Sequence, residues 1–200
     1  MSNYKVYKLF PTPIFHSKVE NFEKLNTELE SYILNLKKSD EKGQKKSNIG
    51  GWHSNNFNMQ DGLPKKFVDI IKNFLQEIIV NDMGWKYESS KVRITAMWSV
   101  VNQKGSFNIQ HNHPGNYFSA VYYVKVSENS GSINFFDPRE QKVIRQPIVK
   151  KYTEMSAIKT TLKPEKGDLF IFPSYLYHDV SENLSNQERI IISFNLDIDP

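Results

Sequence analysis

Apolar residues early in the chain fall at helical intervals. Phe22, Leu25, Leu29, Ile33 and Leu36 step by three or four positions, which stacks them on one face of an amphipathic helix. Asp61-Gly62-Leu63-Pro64 reads as a helix start with a capping Asp and an early Pro. It leads into a second helix carrying Phe67, Ile70, Ile71, Phe74, Leu75, Ile78 and Ile79 and ending near Gly84. Before the first helix, Leu9 to Phe15 holds two prolines and reads as an extended strand. From Lys91 the texture changes to short runs of Val, Ile, Phe, Tyr and Thr, broken by Gly, Pro, Asn or Ser about every ten residues. The pattern predicts strands at 92–101, 108–111, 118–126, 132–136, 158–162, 168–172, 177–181 and 189–196. Two helices followed by seven or eight strands imply a mainly β protein, a jelly-roll or double-stranded β-helix with the helices packed outside. A single domain spanning 1–200 is expected, with 1–90 as helical support and 91–200 as the barrel core; no internal repeat is present.

Composition narrows the classes. A chain of 200 residues, 38% hydrophobic and 13% aromatic, can bury one core and is not a disordered sequence. No apolar run approaches the roughly 20 residues of a membrane span, and Met1 to Val6 lacks the apolar core of a secretory signal, so a cytoplasmic protein without membrane contact is expected. The absence of cysteine excludes disulfides, thiolate metal sites and cysteine nucleophiles, leaving His, Asp and Glu to hold any metal. Part of the net charge of +4 sits in the polar stretch Lys37 to Lys46. That stretch reads as a solvated loop, and without interleaved aromatics it gives no reason to expect nucleic acid. Neither a Gly-x-Ser-x-Gly elbow nor a glycine-rich phosphate loop occurs.

Three of the five histidines fall in predicted strands. In Gln110-His111-Asn112-His113-Pro114 the imidazoles stand two apart, which on a strand places both on one face. His178 belongs to a later strand that a jelly-roll can bring alongside. Together they make a facial three-imidazole metal site, and nitrogen ligands without sulfur suit iron, manganese, nickel or zinc. Gly105 ahead of His111, and Gly167-Asp168-Leu169-Phe170-Ile171-Phe172-Pro173 ahead of His178, match the spacing of the two histidine motifs of cupin-type barrels. The glutamate usual after His-x-His is replaced by Pro114-Gly115-Asn116-Tyr117.

The same residues resemble the 2-oxoglutarate- and Fe(II)-dependent oxygenases, over 92–196 in the prolyl-hydroxylase-like branch. A smaller group of uncharacterised oxygenases resembles most of the chain, through Leu9-Phe10-Pro11-Thr12-Pro13 and Gly51-Trp52-His53-Ser54. The carrying segments are His111-x-His113, Ala120 to Val124, Gly131 to Arg139, and Gly167 to Phe172 through His178-Asp179-Val180 to Arg189. The resemblance implies an iron dioxygenase in which Arg189 grips the far carboxylate of 2-oxoglutarate, since a guanidinium matches a carboxylate in two-point geometry and stays charged when buried. Ser193 and the Tyr123 phenol would assist, with Tyr122 facing the other way, and Asn102 is a further candidate at the co-substrate. Decarboxylation to succinate would accompany hydroxylation of a C–H bond using O₂.

One departure stands out. The family mostly pairs its histidines with Asp or Glu where this chain has His113. Either three histidines hold the metal, or His111 and His178 do so alone. A neutral ligand there leaves the metal one unit more positive and favours anionic co-substrate; halogenase chemistry, which needs a small residue at that position, is disfavoured. Asp137 reads as a turn residue and His16 as structural. Trp98, Asn102, Asn108 and Arg139 are candidate pocket residues, with Trp52 and His53 on a loop over the mouth. The substrate is a small molecule or a protein or peptide, and a homodimer is the commonest assembly. Two other functions remain open: a cupin-type dioxygenase or isomerase using the histidines without 2-oxoglutarate, and a non-catalytic barrel serving as a binding module. Arg189 separates the first of these from the oxygenase.

Overall fold

The computed structural model describes residues 3–86, 92–139 and 147–198. The elements, in order, are β1 (Phe15–Lys18), α1 (Phe22–Ser39), β2 (Asn48–Ile49), β3 (Trp52–His53), α2 (Gly62–Glu77) running into a π-helical turn (Ile78–Asp82), β4 (Val92–Asn102), β5 (Phe107–His111), β6 (Phe118–Lys125), β7 (Ile133–Phe136), β8 (Lys159–Leu162), β9 (Asp168–Pro173), β10 (His178–Val180) and β11 (Arg189–Ile198). Two antiparallel sheets result, one in the order β1-β9-β6-β11-β4-β3 and the other β2-β5-β10-β7-β8. The eight strands expected from the hydrophobic pattern are present within about two residues at each end.

The larger sheet is buried on both faces, and strand parity decides which side chain serves which. Ile190, Ile192 and Phe194 of β11 and Tyr122 of β6 face the helices, where they pack with Leu29 and Ile33 of α1 and Phe67, Ile71 and Leu75 of α2. Phe67 and Tyr122 meet at 4.9 Å between ring centroids. The alternate residues, Tyr123, Val121 and Ile191, face the smaller sheet and form a second core with Phe135, Phe170 and Phe172. A buried phenol needs a partner, and Tyr122 donates to Asn26 Oδ1 at 2.6 Å, while Asn26 Nδ2 donates to the Val124 carbonyl at 2.7 Å.

Three local readings are corrected. Lys37, Lys38 and Ser39 belong to the last turn of α1, so the basic loop is shorter than composition suggests. Asp61 stands at the N-cap of α2 but makes no side-chain cap bond. A capping oxygen accepts from the second or third helical N–H, and here the third position is Pro64, which has none; Asp61 Oδ1 accepts from Asn58 Nδ2 at 3.2 Å instead. Finally, Trp52 and His53 are not a loop over the cavity mouth but strand β3, paired with Val101 and Val100 of β4. Among the described residues no helix is long and apolar enough to cross a membrane.

Candidate metal and co-substrate site

The three histidines are brought together by strand pairing. In the smaller sheet His178, first in β10, lies opposite His111, last in β5, and their rings sit 4.3 Å apart. His113 lies beyond the end of β5, so the two-residue strand periodicity does not by itself place it. The turn is fixed by its backbone N–H donating to the Ser174 carbonyl at 2.9 Å. Its ring nevertheless lies 5.1 Å from His111 and 5.2 Å from His178, and one ring nitrogen from each histidine lies within 4.8 Å of the others.

Backbone carbonyls fix two of the tautomers. His111 Nδ1 is 2.7 Å from the Ile109 oxygen and His178 Nδ1 is 3.0 Å from the Leu176 oxygen. A carbonyl only accepts, so each Nδ1 carries the proton and each Nε2 keeps a lone pair, the arrangement of a metal-binding imidazole with an anchored second nitrogen. The Ser47 hydroxyl lies 3.3 Å from His111 Nε2. Burial disfavours the imidazolium throughout: His178 is pushed down to about 3 and His113 to about 4, with His111 also lowered. All three are therefore neutral near pH 7, the form that binds a cation.

These rings line a cavity of about 570 Å³ between the sheets, with Val121, Ile191 and Ser193 on the facing wall. On β11, Arg189 shares the inward parity of Ile191 and Ser193 and lies opposite Asn102 of β4. Arg189 is only 1% exposed. Its Nη1 donates to the carbonyls of Ser130 and Ser181, its Nη2 is buried without a partner, and among the described residues no carboxylate is within ion-pair range. Gly131 makes this packing possible, for with φ at +92° a Cβ there would sit 2.5 Å from Arg189 Nη1 and closer still to the Ser181 oxygen. Tyr123 is buried among the inner residues, and burial raises its phenol pKa while the Arg189 charge acts in the opposite direction. A buried guanidinium with a free N–H and no counter-ion is costly, and a carboxylate is the group that fits it. The donor set thus fits both a divalent metal and a dicarboxylate.

Of the residues singled out in the sequence, Ser193 reaches the cavity wall, as do Trp98 and Asn108. Arg189, Tyr123 and Asn102 lie buried beyond it. Asn102 donates to Asn108 Oδ1 at 3.1 Å, and its own Oδ1 has no partner. Arg139 is not at this site: it forms a two-point ion pair with Asp137, at 2.9 Å and 2.8 Å, on a separate cavity beside β7 and the N-terminal segment. His53 is buried at the cavity rather than solvated, and its ring stacks on Trp98 at 5.7 Å and 11°. His16 pairs with Asp168 at 3.1 Å and stacks on Phe170, in keeping with a structural role. Sequence reasoning missed Ser47 and Lys46 at the cavity rim; the lysine-rich composition around them signals only solvent exposure.

Comparison with known proteins agrees with this geometry. The family model described as "Putative 2OG-Fe(II) oxygenase" matches residues 96–195, half of the chain. A search of curated proteins finds no match. Among solved structures, a prolyl-4-hydroxylase from Pseudomonas putida shares the fold at a TM-score of 0.66 and 13% identity, covering 94% of each chain. A Trichoplax adhaerens prolyl hydroxylase, in complex with a hypoxia inducible factor peptide fragment, gives 0.65 at 14% identity, covering 92% of this chain and 83% of its own. HygX from Streptomyces hygroscopicus, with nickel, 2-oxoglutarate and hygromycin B bound, gives 0.63 at 11%, covering 94% and 83%. The three-histidine cluster, the jelly-roll around it and the family match lead to one assignment: the chain belongs to the 2OG-Fe(II) oxygenase family.

Proposed function

We propose that the protein is an Fe(II)- and 2-oxoglutarate-dependent dioxygenase that hydroxylates a small molecule or a protein side chain and releases succinate. The observation that carries this reading is the pairing of three converging, neutral imidazoles with a buried, anion-free Arg189 in one sandwich. His111, His113 and His178 would hold the metal, a three-histidine set with no carboxylate. Iron(II), when bound with 2-oxoglutarate and O₂, supplies the oxidising chemistry: one oxygen atom goes to the substrate C–H and the other to succinate, with loss of CO₂.

The rest is done by the chain. The carbonyls of Ile109 and Leu176 hold the His111 and His178 rings in orientation, so the ligand atoms need no reorganisation on binding. Arg189 would receive the distal carboxylate on its free Nη2, with Nη1 anchored on Ser130 and Ser181 and the Tyr123 phenol nearby. Ser193 on the cavity wall is placed to donate a further hydrogen bond. Phe172 and Phe135 pack against His178 at 4.8 Å and 6.1 Å and keep bulk water from the inner side of the cluster.

Anaerobic titration of the iron(II)-loaded protein with 2-oxoglutarate tests this directly. A visible metal-to-ligand charge-transfer band is expected in the wild type, together with succinate once air is admitted. His113→Ala should remain folded but fail to retain iron. Iron bound without the band would shift the reading to a barrel dioxygenase or isomerase that does not use 2-oxoglutarate. Failure to bind any divalent metal would leave a non-catalytic binding module.

A further inference from the structure

The charges around the cavity are unbalanced in a way the co-substrate does not cure. None of the residues lining it is Asp or Glu. Asp179, whose charge reaches His111, turns its carboxylate to Asn134 Nδ2, 2.6 Å away. At the rim stands Lys46, exposed and, among the described residues, within ion-pair range of no carboxylate; the same holds for its neighbours Lys42 and Lys45. The loop is not free to carry Lys46 elsewhere. Gln44 N–H donates to the His53 carbonyl at 2.8 Å, Lys46 N–H to Asn48 Oδ1 at 2.9 Å, and Ile109 N–H to the Ser47 carbonyl at 2.9 Å. The Lys46 charge also acts on His53, adding to the burial that holds that imidazole neutral.

His53 and Trp98 form the wall beneath Lys46. With Nδ1 committed to the Ser54 carbonyl at 2.7 Å, His53 presents only an acceptor, and its parallel stack on Trp98 makes a flat aromatic surface. Resting on the oxygenase reading above, iron(II) held by neutral imidazoles keeps both positive charges. Dianionic 2-oxoglutarate cancels these, and Asp179, paired with no cation among the described residues, offsets one of the two charges of Arg189 and Lys46, so one positive unit is left over a wall without carboxylates. A neutral or cationic substrate would leave that excess standing, whereas an anionic one removes it.

We infer that the primary substrate is anionic, a carboxylate- or phosphate-bearing molecule whose charged group is received by Lys46 while its flat or apolar part lies on the His53–Trp98 wall. Lys46 is then a specificity-determining residue. Because it is exposed, its effect is modest and salt-dependent: about fivefold in affinity at low ionic strength, shrinking as salt is raised.

The test uses protein loaded with zinc(II), which does not turn over, and reads binding by calorimetry. 2-Oxoglutarate is titrated first, and its failure to bind would bring down the oxygenase reading and this inference with it. With 2-oxoglutarate bound, two matched pairs are compared: benzoate against benzamide for a free small molecule, and blocked Ala-Asp-Ala against Ala-Asn-Ala for an acidic peptide. The inference expects the anionic member to bind more tightly in one pair, and that pair identifies the source of the anion. Lys46→Gln should abolish the preference while 2-oxoglutarate affinity stays unchanged. Equal binding of charged and neutral members, no binding by either anion, or a preference that survives in Lys46→Gln would each overturn it, with 2-oxoglutarate binding still intact.

Discussion

Replacing Arg189 by Met separates what the guanidinium does for the fold from what it does for the site. In the metal-free protein Arg189 is a fully buried cation whose hydrogen-bond partners among the described residues are two backbone carbonyls. Two opposing effects follow from its removal. The fold is relieved of an uncompensated buried charge, and exchanging buried ionic groups for apolar side chains of similar volume is elsewhere neutral or stabilising by about 1–4 kcal/mol. Against this, the Ser130 and Ser181 carbonyls lose their donor, at about 1 kcal/mol each. The expected net change in unfolding free energy is therefore within about 2 kcal/mol of zero, despite the loss of one of the largest buried side chains in the molecule. Co-substrate binding has no such cancellation: removing one partner of a desolvated, hydrogen-bonded charge pair costs about 2–5 kcal/mol, or roughly 30-fold to several-thousand-fold in Kd. Urea unfolding of zinc-loaded wild type and Arg189→Met, with and without 2-oxoglutarate, reads both quantities. Wild type should gain about 2.7 kcal/mol at a ligand concentration 100 times its Kd, and the variant no more than about 0.9 kcal/mol at that same concentration. A variant destabilised by more than about 4 kcal/mol without ligand would make Arg189 a structural strap; a variant that gains as much from 2-oxoglutarate as wild type does would refute its role as carboxylate partner.

Three further outcomes are expected. Gly131→Ala forces a Cβ against Arg189 Nη1 at a residue with φ +92°, so it should weaken 2-oxoglutarate binding while zinc affinity, measured by competition with a chelator, is unchanged. Tyr122→Phe removes the 2.6 Å bond to Asn26 and should lower stability by about 1–2 kcal/mol without altering either affinity, because Tyr122 faces the helices. The metal-free protein should lose stability on acidification: the folded pKa values of His178 and His113 lie at about 3 and about 4 against an ordinary 6.5. Below pH 6.5 the unfolded chain binds protons that the folded one refuses, so stability is full above that pH and falls as pH drops toward 4 and 3; a urea midpoint that holds constant from about pH 8 to about pH 5 would contradict this.

The strands were legible because each is several residues long, alternates or is uniformly apolar, and is bounded by turn residues. β9, Asp168–Pro173, is buried at every position and reads as a continuous apolar run. β2 and β3 have two residues each, too few for any periodicity, so Trp52 and His53 read as loop although β4 captures both. His113 shows how a correct grouping can rest on an incomplete reason. The His-x-His spacing puts the rings together, yet β5 stops at His111 and the turn hydrogen bond to Ser174 does the placing. Arg139 was misplaced for the opposite reason. It follows β7 in the chain, but its Asp137 partner directs it to the outer cavity, and no spacing rule encodes a local ion pair.

The site and the helix-packing core are two faces of the same strands, and a single irregularity keeps them in step. Along β11, Ile190 pairs with Lys125 and Ile191 with Tyr123, so Val124 on β6 is an extra residue in the ladder. Without it, parity would place either Tyr123 or Lys125 on the wrong face. With it, Tyr123 turns inward with Ile191, toward Arg189, while Val124 joins the helix-side core and Lys125 reaches Glu30 of α1 at 2.7 Å. The bulge lies two residues from Arg189 on the partner strand. The inward set of Arg189, Ile191 and Ser193 is therefore fixed by the same register that packs Ile190, Ile192 and Phe194 beneath the helices. The candidate co-substrate residues Arg189, Tyr123 and Ser193 stand on two central strands of the larger sheet, and the candidate ligands His111 and His178 on the smaller one with His113 just beyond its edge, so the distance between Arg189 and the histidines is set by how the two sheets pack.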